Sequence, residues 1–311
     1  MSPIQVTFLG TGTSQGIPMI ACDCEVCRSN DPRDKRLRVS IHVETQGKSF
    51  IIDTGPDFRQ QILREGIKHV DAVIYTHEHK DHTAGMDDIR GFNYVQKSSI
   101  PLYGQKNVID QLKREFAYAF DENKYPGVPE IEVHYIENKP FEIEGVSIIP
   151  IKVRHYFIDI LGFRFGDFTY ITDANFISDE ELEKAKGSKI LVINALRKTS
   201  HVSHFNLAEA LEVIEKINPE KAYITHLSHM MGLHAEVQAE LPEHVFLAQD
   251  GLKINGYDLN STGERLFIYI SNSVSADINL SKEELTVSSK EVYDNVFKMA
   301  SSFLQKSIKR H

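Results

Sequence analysis

Four side chains that bind divalent metals lie within six consecutive positions of the chain: His77, His79, Asp81 and His82. Neutral imidazole is a good ligand for zinc and other transition metals, and a carboxylate adds negative charge to such a site. In an extended segment the side chains of His77 and His79, two positions apart, point the same way and can share one ion. Asp81 and His82 follow where the chain turns, and they can reach a second ion beside the first. The sequence therefore predicts a metal site here, and a polar loop with solvated histidines is the weaker alternative.

The three cysteines of the chain, Cys22, Cys24 and Cys27, form a second cluster with metal-ligand spacing. Because they are odd in number and lie together, they cannot form a fully paired disulfide framework. In a reducing compartment, three thiolates at this spacing indicate a structural zinc site, whose four-coordinate geometry requires one more ligand. We expect that ligand to be a histidine from elsewhere in the chain. Buried cysteines without a metal are the alternative.

The elements that would position these side chains are strands. An apolar run at residues 70–75 precedes the histidine cluster and predicts a buried strand. In α/β proteins ligands usually bind in the crevice beyond the strand ends, so a strand that stops at a polar cluster delivers its side chains there. Three further strands are predicted to end close to His155, Asp173 and His226. Taken alone, a histidine in the position of His155 is more often structural than a metal ligand.

A helix is predicted at residues 207–217, because Asn206 and Glu209 have the spacing of a capping box at its start. His204 lies just before this helix N-terminus, a position that favours nearby anions. A polar loop histidine is the alternative interpretation of His204.

The pattern HxHxDH after an apolar strand resembles the signature of the metallo-β-lactamase superfamily. This resemblance implies an α/β fold, the αββα sandwich, with a metal site that is often binuclear at one edge. The implied ligands form two sets joined by one bridging carboxylate: His77, His79 and His155 for one ion, Asp81, His82 and His226 for the other, and Asp173 between them. Asp53 resembles the strand-end aspartate that supports the metal loop from outside, and a turn aspartate is the alternative there.

Two further features resemble particular branches of this superfamily. Residues 9–12, Leu-Gly-Thr-Gly, resemble the opening of tRNA 3′-end endonucleases (RNase Z) and of cyclic phosphodiesterases. The cysteine cluster, combined with His226 and His229 three positions apart, resembles the phosphoribosyl cyclic phosphodiesterases, or PhnP-like proteins. In those proteins the cysteines bind a structural zinc together with a distant histidine. The resemblance therefore implies His229 as the fourth ligand of the cysteine site.

The function that this resemblance implies is a metal-dependent phosphodiesterase of the PhnP-like type, acting on a small or cyclic phosphodiester. The implied cofactors are two divalent ions at the active site, zinc or manganese, which hold a hydroxide, and one structural zinc. His204 and Asp81 are the predicted catalytic residues. The resemblance gives His204 contact with the scissile phosphate and a role in the departure of the leaving oxygen, and His201 ranks second for that role.

Three other functions remain open at this stage. RNase Z enzymes have a similar site, but they carry a Gly/Pro-rich arm that grips tRNA, and no such inserted stretch is visible. A thioester or lactone hydrolase would use the same metal set to attack a carbonyl group. A non-catalytic metal-binding protein on the same fold is disfavoured, because all seven candidate ligands are present.

The composition is that of an ordinary globular protein: 311 residues, 41% hydrophobic and 25% charged, with a formal net charge of −9. This acidity argues against a broad nucleic-acid-binding surface, though not against a local basic cleft. The expected partner, a small phosphodiester, is what the resemblance implies. No apolar run approaches the roughly 20 residues that span a bilayer. The first five residues lack the pattern of a secretory signal, so a cytoplasmic location without membrane contact is expected.

Two regions are predicted. Residues 1–257 form the hydrolase domain, and residues 258–311 form a C-terminal extension. The extension is expected to contain a strand at residues 266–270 and an amphipathic helix at residues 288–309. It could pack on the core or on a second subunit, as in a homodimer.

Overall fold

The computed structural model describes residues 4–255. Within this range the strands form two sheets of seven strands each. The predicted C-terminal extension, with its strand and its helix, lies outside the described residues, so the division into two regions stays a prediction.

The first sheet contains the N-terminal half of the strands and the last strand of the described chain. In spatial order its strands are β14 (Lys253–Asn255), β1 (Ile4–Gly10), β2 (Ser40–Thr45), β3 (Lys48–Ile52), β4 (Ala72–Ile74), β5 (Ile100–Gly104) and β6 (Ile131–Tyr135). Strands β14, β1, β2 and β3 pair antiparallel, whereas β3, β4, β5 and β6 run parallel. The carboxyl ends of β3 and β4 therefore lie side by side at one edge.

The second sheet, like the first, has an antiparallel part and a parallel part. In spatial order its strands are β13 (Val245–Leu247), β12 (Lys221–Thr225), β11 (Ile190–Asn194), β10 (Phe168–Ile171), β9 (Ile158–Phe165), β8 (Val146–His155) and β7 (Phe141–Ile143). Strands β7 to β10 pair antiparallel and β10 to β13 run parallel. The ends of β8, β10 and β12 carry the candidate ligands of this half.

Helices cover the outer face of each sheet. The helices are α1 (Glu25–Arg28), α2 (Phe58–Glu65), α3 (Lys80–Thr83), α4 (Arg90–Gln96), α5 (Lys106–Glu115), α6 (Ala117–Phe120), α7 (Asp179–Ala185), α8 (Leu207–Ile217) and α9 (His234–Glu240). Helices α2, α4 and α5 pack on the outside of the first sheet, and α7, α8 and α9 pack on the outside of the second. The predicted αββα sandwich is confirmed.

Alternation along the strands explains why both faces of each sheet are apolar. In β3, Phe50 and Ile52 face the core between the sheets, whereas Ile51 faces the outer helices. In β11, Val192 faces inward and Leu191 faces α7 and α8. Because successive side chains point to opposite faces and both faces are buried, these strands are continuous apolar runs. The apolar run at residues 70–75, from which the sequence predicted a buried strand, shows the same pattern in β4.

The structure departs from the sequence prediction in three elements. Apolar residues at helical spacing predict one helix at residues 107–120. In the structure this helix is broken at Phe116, whose carbonyl accepts a hydrogen bond from the N–H of Ala119, three residues on, at 2.7 Å. The sequence also predicts a helix at residues 85–95, but the structure has a separate 3₁₀ turn, Met86–Ile89, before α4. Strand β14 was not predicted, because three residues are too short to show a period. Among residues 4–255, no helix combines the length and the apolar composition needed to cross a membrane.

Candidate active site

The candidate ligands lie where strands of both sheets end at the same edge of the sandwich. Asp53 directly follows β3, His155 is the last residue of β8, and His226 directly follows β12. Thr76, just after β4, joins the two sheets, because its carbonyl accepts a hydrogen bond from the N–H of Leu161 in β9 at 3.2 Å. The predicted convergence of strand ends is therefore present.

Three of these strand-end residues adopt a left-handed backbone conformation. The φ angle is 66° at Asp53, 57° at Asp173 and 56° at His226. Residues other than glycine rarely adopt this conformation, although aspartate and histidine tolerate it better than most. Such a turn at the end of a strand redirects the side chain, and here it directs all three toward the edge of the sandwich.

The first cluster contains His77, His79 and His155. The Nδ1 atom of His79 lies 3.1 Å from Nε2 of His77 and 3.3 Å from Nε2 of His155. One ring nitrogen of each residue therefore faces the same point, and the three atoms all lie within 4.8 Å of one another. That spacing suits three ligands of one ion.

The second cluster contains Asp81, His82, Asp173 and His226. The two oxygens of Asp173 face different partners: Oδ2 lies 3.3 Å from Nε2 of His82, and Oδ1 lies 3.1 Å from Nε2 of His226. The Oδ2 atom of Asp81 lies 3.4 Å from Nε2 of His82 and 3.6 Å from Nε2 of His226. Asp173 also groups with His155 of the first cluster, so its carboxylate lies between the two sets.

Hydrogen bonds behind the histidines orient their rings. The Nδ1 atom of His82 pairs with Oδ2 of Asp53 at 2.7 Å, and Nδ1 of His155 pairs with the carbonyl of Ser203 at 2.8 Å. The Thr76 hydroxyl donates to Asp53 and accepts from Nδ1 of His77 at 3.0 Å. Since each Nδ1 carries the proton, each Nε2 presents a lone pair to the cluster, which is the tautomer that a metal ligand needs.

The chemistry of the donor set fits divalent ions. The Nε2 atoms of His82 and His226 are fully buried and make no hydrogen bond to any residue in the described range. Buried polar atoms are normally hydrogen-bonded, so two buried imidazole nitrogens that face carboxylates without a hydrogen bond indicate a site for another partner. A metal ion is the partner that accepts lone pairs from nitrogen and carboxylate together.

Burial and charge act in opposite directions on these groups. Burial lowers the pKa of His77 well below its ordinary value, and the neighbouring His82 adds to this effect. Burial also opposes a charge on His82, but the carboxylates of Asp173, Asp81 and Asp53 outweigh it and raise the pKa of His82 well above the ordinary value. Carboxylates thus lie on both sides of the His82 ring, Asp53 at Nδ1 and Asp81 with Asp173 at Nε2, and they require positive charge between them.

His204 lies beside the clusters and His201 lies behind it. The Nε2 atom of His204 is 3.0 Å from Oδ1 of Asp173, and its ring stacks on that of His226 with centroids 4.8 Å apart. His201 reaches His204 but not Asp173: the Nδ1 atoms of the two rings are 3.3 Å apart. The capping box of Asn206 and Glu209 that predicted this placement is present at the start of α8.

The cysteine cluster forms a separate four-ligand site. The Nδ1 atom of His229 lies 3.3 Å from Sγ of Cys22 and 3.2 Å from Sγ of Cys24, and Cys27 completes the group. The backbone N–H of Cys27 and then the His229 ring lower the pKa of Cys24 to about 6, which favours its thiolate at neutral pH. Burial raises the pKa of Cys27 to about 11. Three sulfurs and one imidazole at this spacing match the ligand set of structural zinc.

All the residues that the sequence singled out as ligands are brought together by the fold, in the grouping that was expected. Sequence reasoning missed Thr76, which contacts both Asp53 and His77, and Ser203, whose carbonyl orients His155. The position of Thr76 directly before His77 was the available signal. The sequence gives no signal for the role of Ser203, because that role depends on the backbone carbonyl, which every residue has.

Comparison with known proteins identifies the family. A family model described as a beta-lactamase superfamily domain matches residues 48–227. The chain belongs to the metallo-β-lactamase superfamily, a family of metal-dependent hydrolases, and the expected fold and family are confirmed. Within the superfamily it lies close to the PhnP branch. A solved structure of a diphosphatase from the PhnP family is 41% identical, with a TM-score of 0.77, covering 82% of this chain and 98% of that one.

Two curated relatives are also similar. An octanoyltransferase of Porphyromonas gingivalis is 39% identical over 249 residues, which are 79% of this chain and 50% of that protein. A ribonuclease Z of Bradyrhizobium diazoefficiens is 27% identical over 164 residues, which are 51% of this chain and 49% of that protein. The chain thus spans about half the length of the curated relatives that it matches.

Proposed function

We propose that this protein is a metal-dependent phosphodiesterase that hydrolyses a small or cyclic phosphodiester. The observation that carries the proposal is the position of Asp173. Its carboxylate lies between the two ligand clusters, and the same carboxylate contacts His204, a candidate proton donor. Two ion sites beside a proton donor are what hydrolysis of a phosphodiester requires.

The ions, zinc or manganese, would be held by the seven clustered side chains. His77, His79 and His155 would hold one ion, and Asp173 would join it to the other. The second ion would be held by Asp81, His82 and His226. When bound, two such ions supply charge neutralisation at phosphorus and a water of lowered pKa. A structural zinc at the cysteine site would fix the loop of residues 22–27 to the segment after β12.

The remaining task, protonation of the leaving oxygen, falls to His204. Its Nε2 atom faces the same space as the carboxylate of Asp173, and the ring is largely buried, so it is shielded from competing water. A proton on Nε2, which lies within hydrogen-bond distance of the Asp173 carboxylate, can be donated to the leaving oxygen as that oxygen develops negative charge during breakage of the ester bond. His201 contacts the far nitrogen of His204 and would orient the ring.

Phosphorus chemistry is favoured by the relative that this chain covers almost completely. That relative is called a diphosphatase, and a diphosphate bond is a phosphorus–oxygen bond like that of a phosphodiester. The likeness to ribonuclease Z is lower and spans about half of each chain, and the acidic net charge of −9 suits a small substrate better than an RNA.

A carbonyl hydrolase is the second candidate, because a curated relative is called an octanoyltransferase. The chain spans only half of that protein, so the name does not say which half carries the transfer of an octanoyl group. A thioester or lactone would meet the same ions and the same His204. A non-catalytic role is disfavoured, since every ligand position holds a metal-binding side chain.

The test compares substrates with one metal-loaded preparation. Bis-p-nitrophenyl phosphate, ribose cyclic phosphates and a diphosphate diester represent phosphorus substrates, and p-nitrophenyl octanoate and an octanoyl thioester represent carbonyl substrates. We expect turnover of at least one phosphorus substrate, and its loss in Asp173→Ala. Turnover of the octanoyl esters alone would overturn the proposal in favour of the second candidate.

A further inference from the structure

Half of the exposed large apolar side chains lie close in sequence to the candidate metal ligands. Twelve large hydrophobic residues are exposed in the described part of the chain, and six of them lie within three positions of a clustered histidine, aspartate or cysteine. Ile20 and Met230 flank the cysteine site, whereas four flank active-site residues: Tyr156, Phe157, Phe176 and Val202. Exposed apolar groups that gather beside a polar site mark ligand contacts more often than single scattered ones do.

The two-residue turn between β8 and β9 carries two aromatic residues, and one of them, Phe157, is the most exposed ring of this set. Tyr156 directly follows His155, and Phe157 comes next. Their exposed fractions are 49% and 83%, and their ring centroids lie 3.7 Å apart. We call this pair the aromatic platform.

The backbone of the platform is held in an unfavourable conformation. Tyr156 has a φ of 55°, a left-handed value that is a true outlier for a bulky residue, although Gly or Asn would adopt it easily. The side chain amide of Asn175 fixes this turn. Its Oδ1 accepts from the N–H of Tyr156 at 3.1 Å, and its Nδ2 donates to the carbonyl of Val202 at 3.0 Å. The platform is thus fastened to the loop that carries His204.

Phe176, the third aromatic residue of the set, already has a partner. The guanidinium of Arg154 lies over its ring, 5.2 Å from the centroid. The aromatic platform has no such cover among the described residues, and Phe157 in particular is open to solvent. Exposed aromatic side chains on a turn that a hydrogen bond holds in place can stack on a planar partner, as aromatic side chains do with bases.

A flexible aliphatic chain fits this open surface less well. An aliphatic chain is stabilised by about 0.8 kcal/mol for each CH₂ that is fully buried. A surface whose side chains are half or more exposed buries only one side of such a chain. A planar ring, in contrast, gains most of its contact from one face.

We propose that Tyr156 and Phe157 determine specificity by stacking on a planar ring that the substrate carries next to its phosphodiester. The inference rests on the proposed function and adds the substrate class, a phosphodiester with an aromatic or heteroaromatic substituent. The site would then prefer such esters over those of simple alcohols or sugars.

The experiment uses three diesters that share one leaving group: phenyl, hexyl and methyl p-nitrophenyl phosphate. The substituent that stays on phosphorus is then the only difference. For the metal-loaded protein we expect kcat/KM for the phenyl ester to exceed that for the methyl ester by at least about fivefold, the lower end of base stacking. We expect most of this difference in KM, and a hexyl ester close to the methyl ester.

Variants of Phe157 separate stacking from apolar contact. Phe157→Leu keeps an apolar side chain and should bring the phenyl-to-methyl ratio close to one, whereas Phe157→Tyr should keep the wild-type ratio. Tyr94→Ala removes a ring that is 76% exposed on α4, and as the matched control it should leave the ratio unchanged.

Other outcomes overturn the inference in distinguishable ways. A ratio that Phe157→Leu and Tyr156→Leu both leave unchanged would show that the platform does not contact the substrate. A hexyl ester that reacts faster than the phenyl ester would show a preference for aliphatic chains. If the wild-type protein hydrolyses none of the three esters, the proposed phosphodiesterase fails, and the inference fails with it.

Discussion

Asp53→Asn is the most informative change near the metal clusters, because it removes a charge while keeping the shape of the side chain. Asp53 is fully buried, and no ion contact is expected from it. Its Oδ1 accepts from the N–H of Thr76 at 2.8 Å, and its Oδ2 accepts from the Thr76 hydroxyl at 2.8 Å and from Nδ1 of His82 at 2.7 Å. All three bonds require an acceptor at Asp53.

Asparagine can satisfy these donors in neither orientation. If its amide nitrogen faces His82, then Nδ1 of His82 must accept, and the proton moves to Nε2, where it blocks the lone pair for the ion. If the amide nitrogen faces the N–H of Thr76 instead, two buried donors meet, which costs about 1–3 kcal/mol of stability. Loss of a partner behind a metal-binding histidine costs about 10- to 100-fold in metal affinity or activity, or about 1.4–2.7 kcal/mol.

The assay is recovery of hydrolysis as the free metal concentration is raised in a chelator buffer, which reports on the active-site ions and not on the cysteine site. We expect the half-saturating metal concentration of Asp53→Asn to rise by about 10- to 100-fold. Asp57→Asn is the matched control, because Asp57 accepts hydrogen bonds from Arg38 in the same region without contacting a ligand. An unchanged metal dependence in Asp53→Asn would refute the tautomer argument.

Three further predictions concern other parts of the molecule. Cys24→Ser should release one zinc per chain and lower the melting temperature, as read by metal analysis and thermal unfolding, and retention of that zinc would contradict the four-ligand site. His204→Asn should slow esters of poor leaving groups far more than p-nitrophenyl esters, whereas His201→Asn should have the smaller effect; equal slowing of both ester types would argue against proton donation. Burial, with a smaller contribution from Lys253, lowers the pKa of His42 to about 4. The unfolded chain therefore binds a proton between pH 6.5 and 4 that the folded chain does not, and stability should fall by up to about 3 kcal/mol as the pH falls through that window. Urea unfolding of His42→Gln should show a flatter pH dependence than the wild type, and identical curves would contradict this.

The residues of the site that could be predicted from sequence are those that belong to patterns of neighbouring residues. The spacing of His77, His79, Asp81 and His82 after a continuous apolar run predicted both the ligands and the strand that delivers them. The run is continuous because β4 is buried on both faces. The capping box before α8 likewise placed His204, since the cap and the helix that it begins are neighbours in the chain.

The features that escaped prediction depend on partners distant in sequence. β14 forms by pairing with β1, which lies about 250 positions earlier in the chain. The paired residues run from Gln5 with Asn255 to Thr7 with Lys253. The roles of Asn175 and Ser203 arise from loops that meet in the fold, and nothing in their own neighbourhood indicates them. The assignment of His155 as a ligand needed the resemblance to a known family, because its local sequence alone favoured a structural role.

The left-handed turns at the strand ends illustrate the same limit. Asp53, Asp173 and His226 are residues that tolerate positive φ. Asp53 has a glycine, Gly55, two positions later, but the two residues on either side of Asp173 and of His226 include no glycine. Each of these residues follows a strand that has a parallel neighbour on at least one side, and its side chain contacts another residue of the clusters. Local propensity therefore could not predict the direction in which these ligands point.

The central claim is that seven side chains hold a pair of ions and that Asp173 joins the two sets. The most direct test is the metal content of the purified protein, measured per chain for the wild type and for Asp173→Ala together with phosphodiester hydrolysis. We predict about three ions for the wild type, two at the histidine clusters and one at the cysteines, with loss of ions and of turnover in Asp173→Ala. Fewer than two ions in the wild type, or full turnover in Asp173→Ala, would contradict the account.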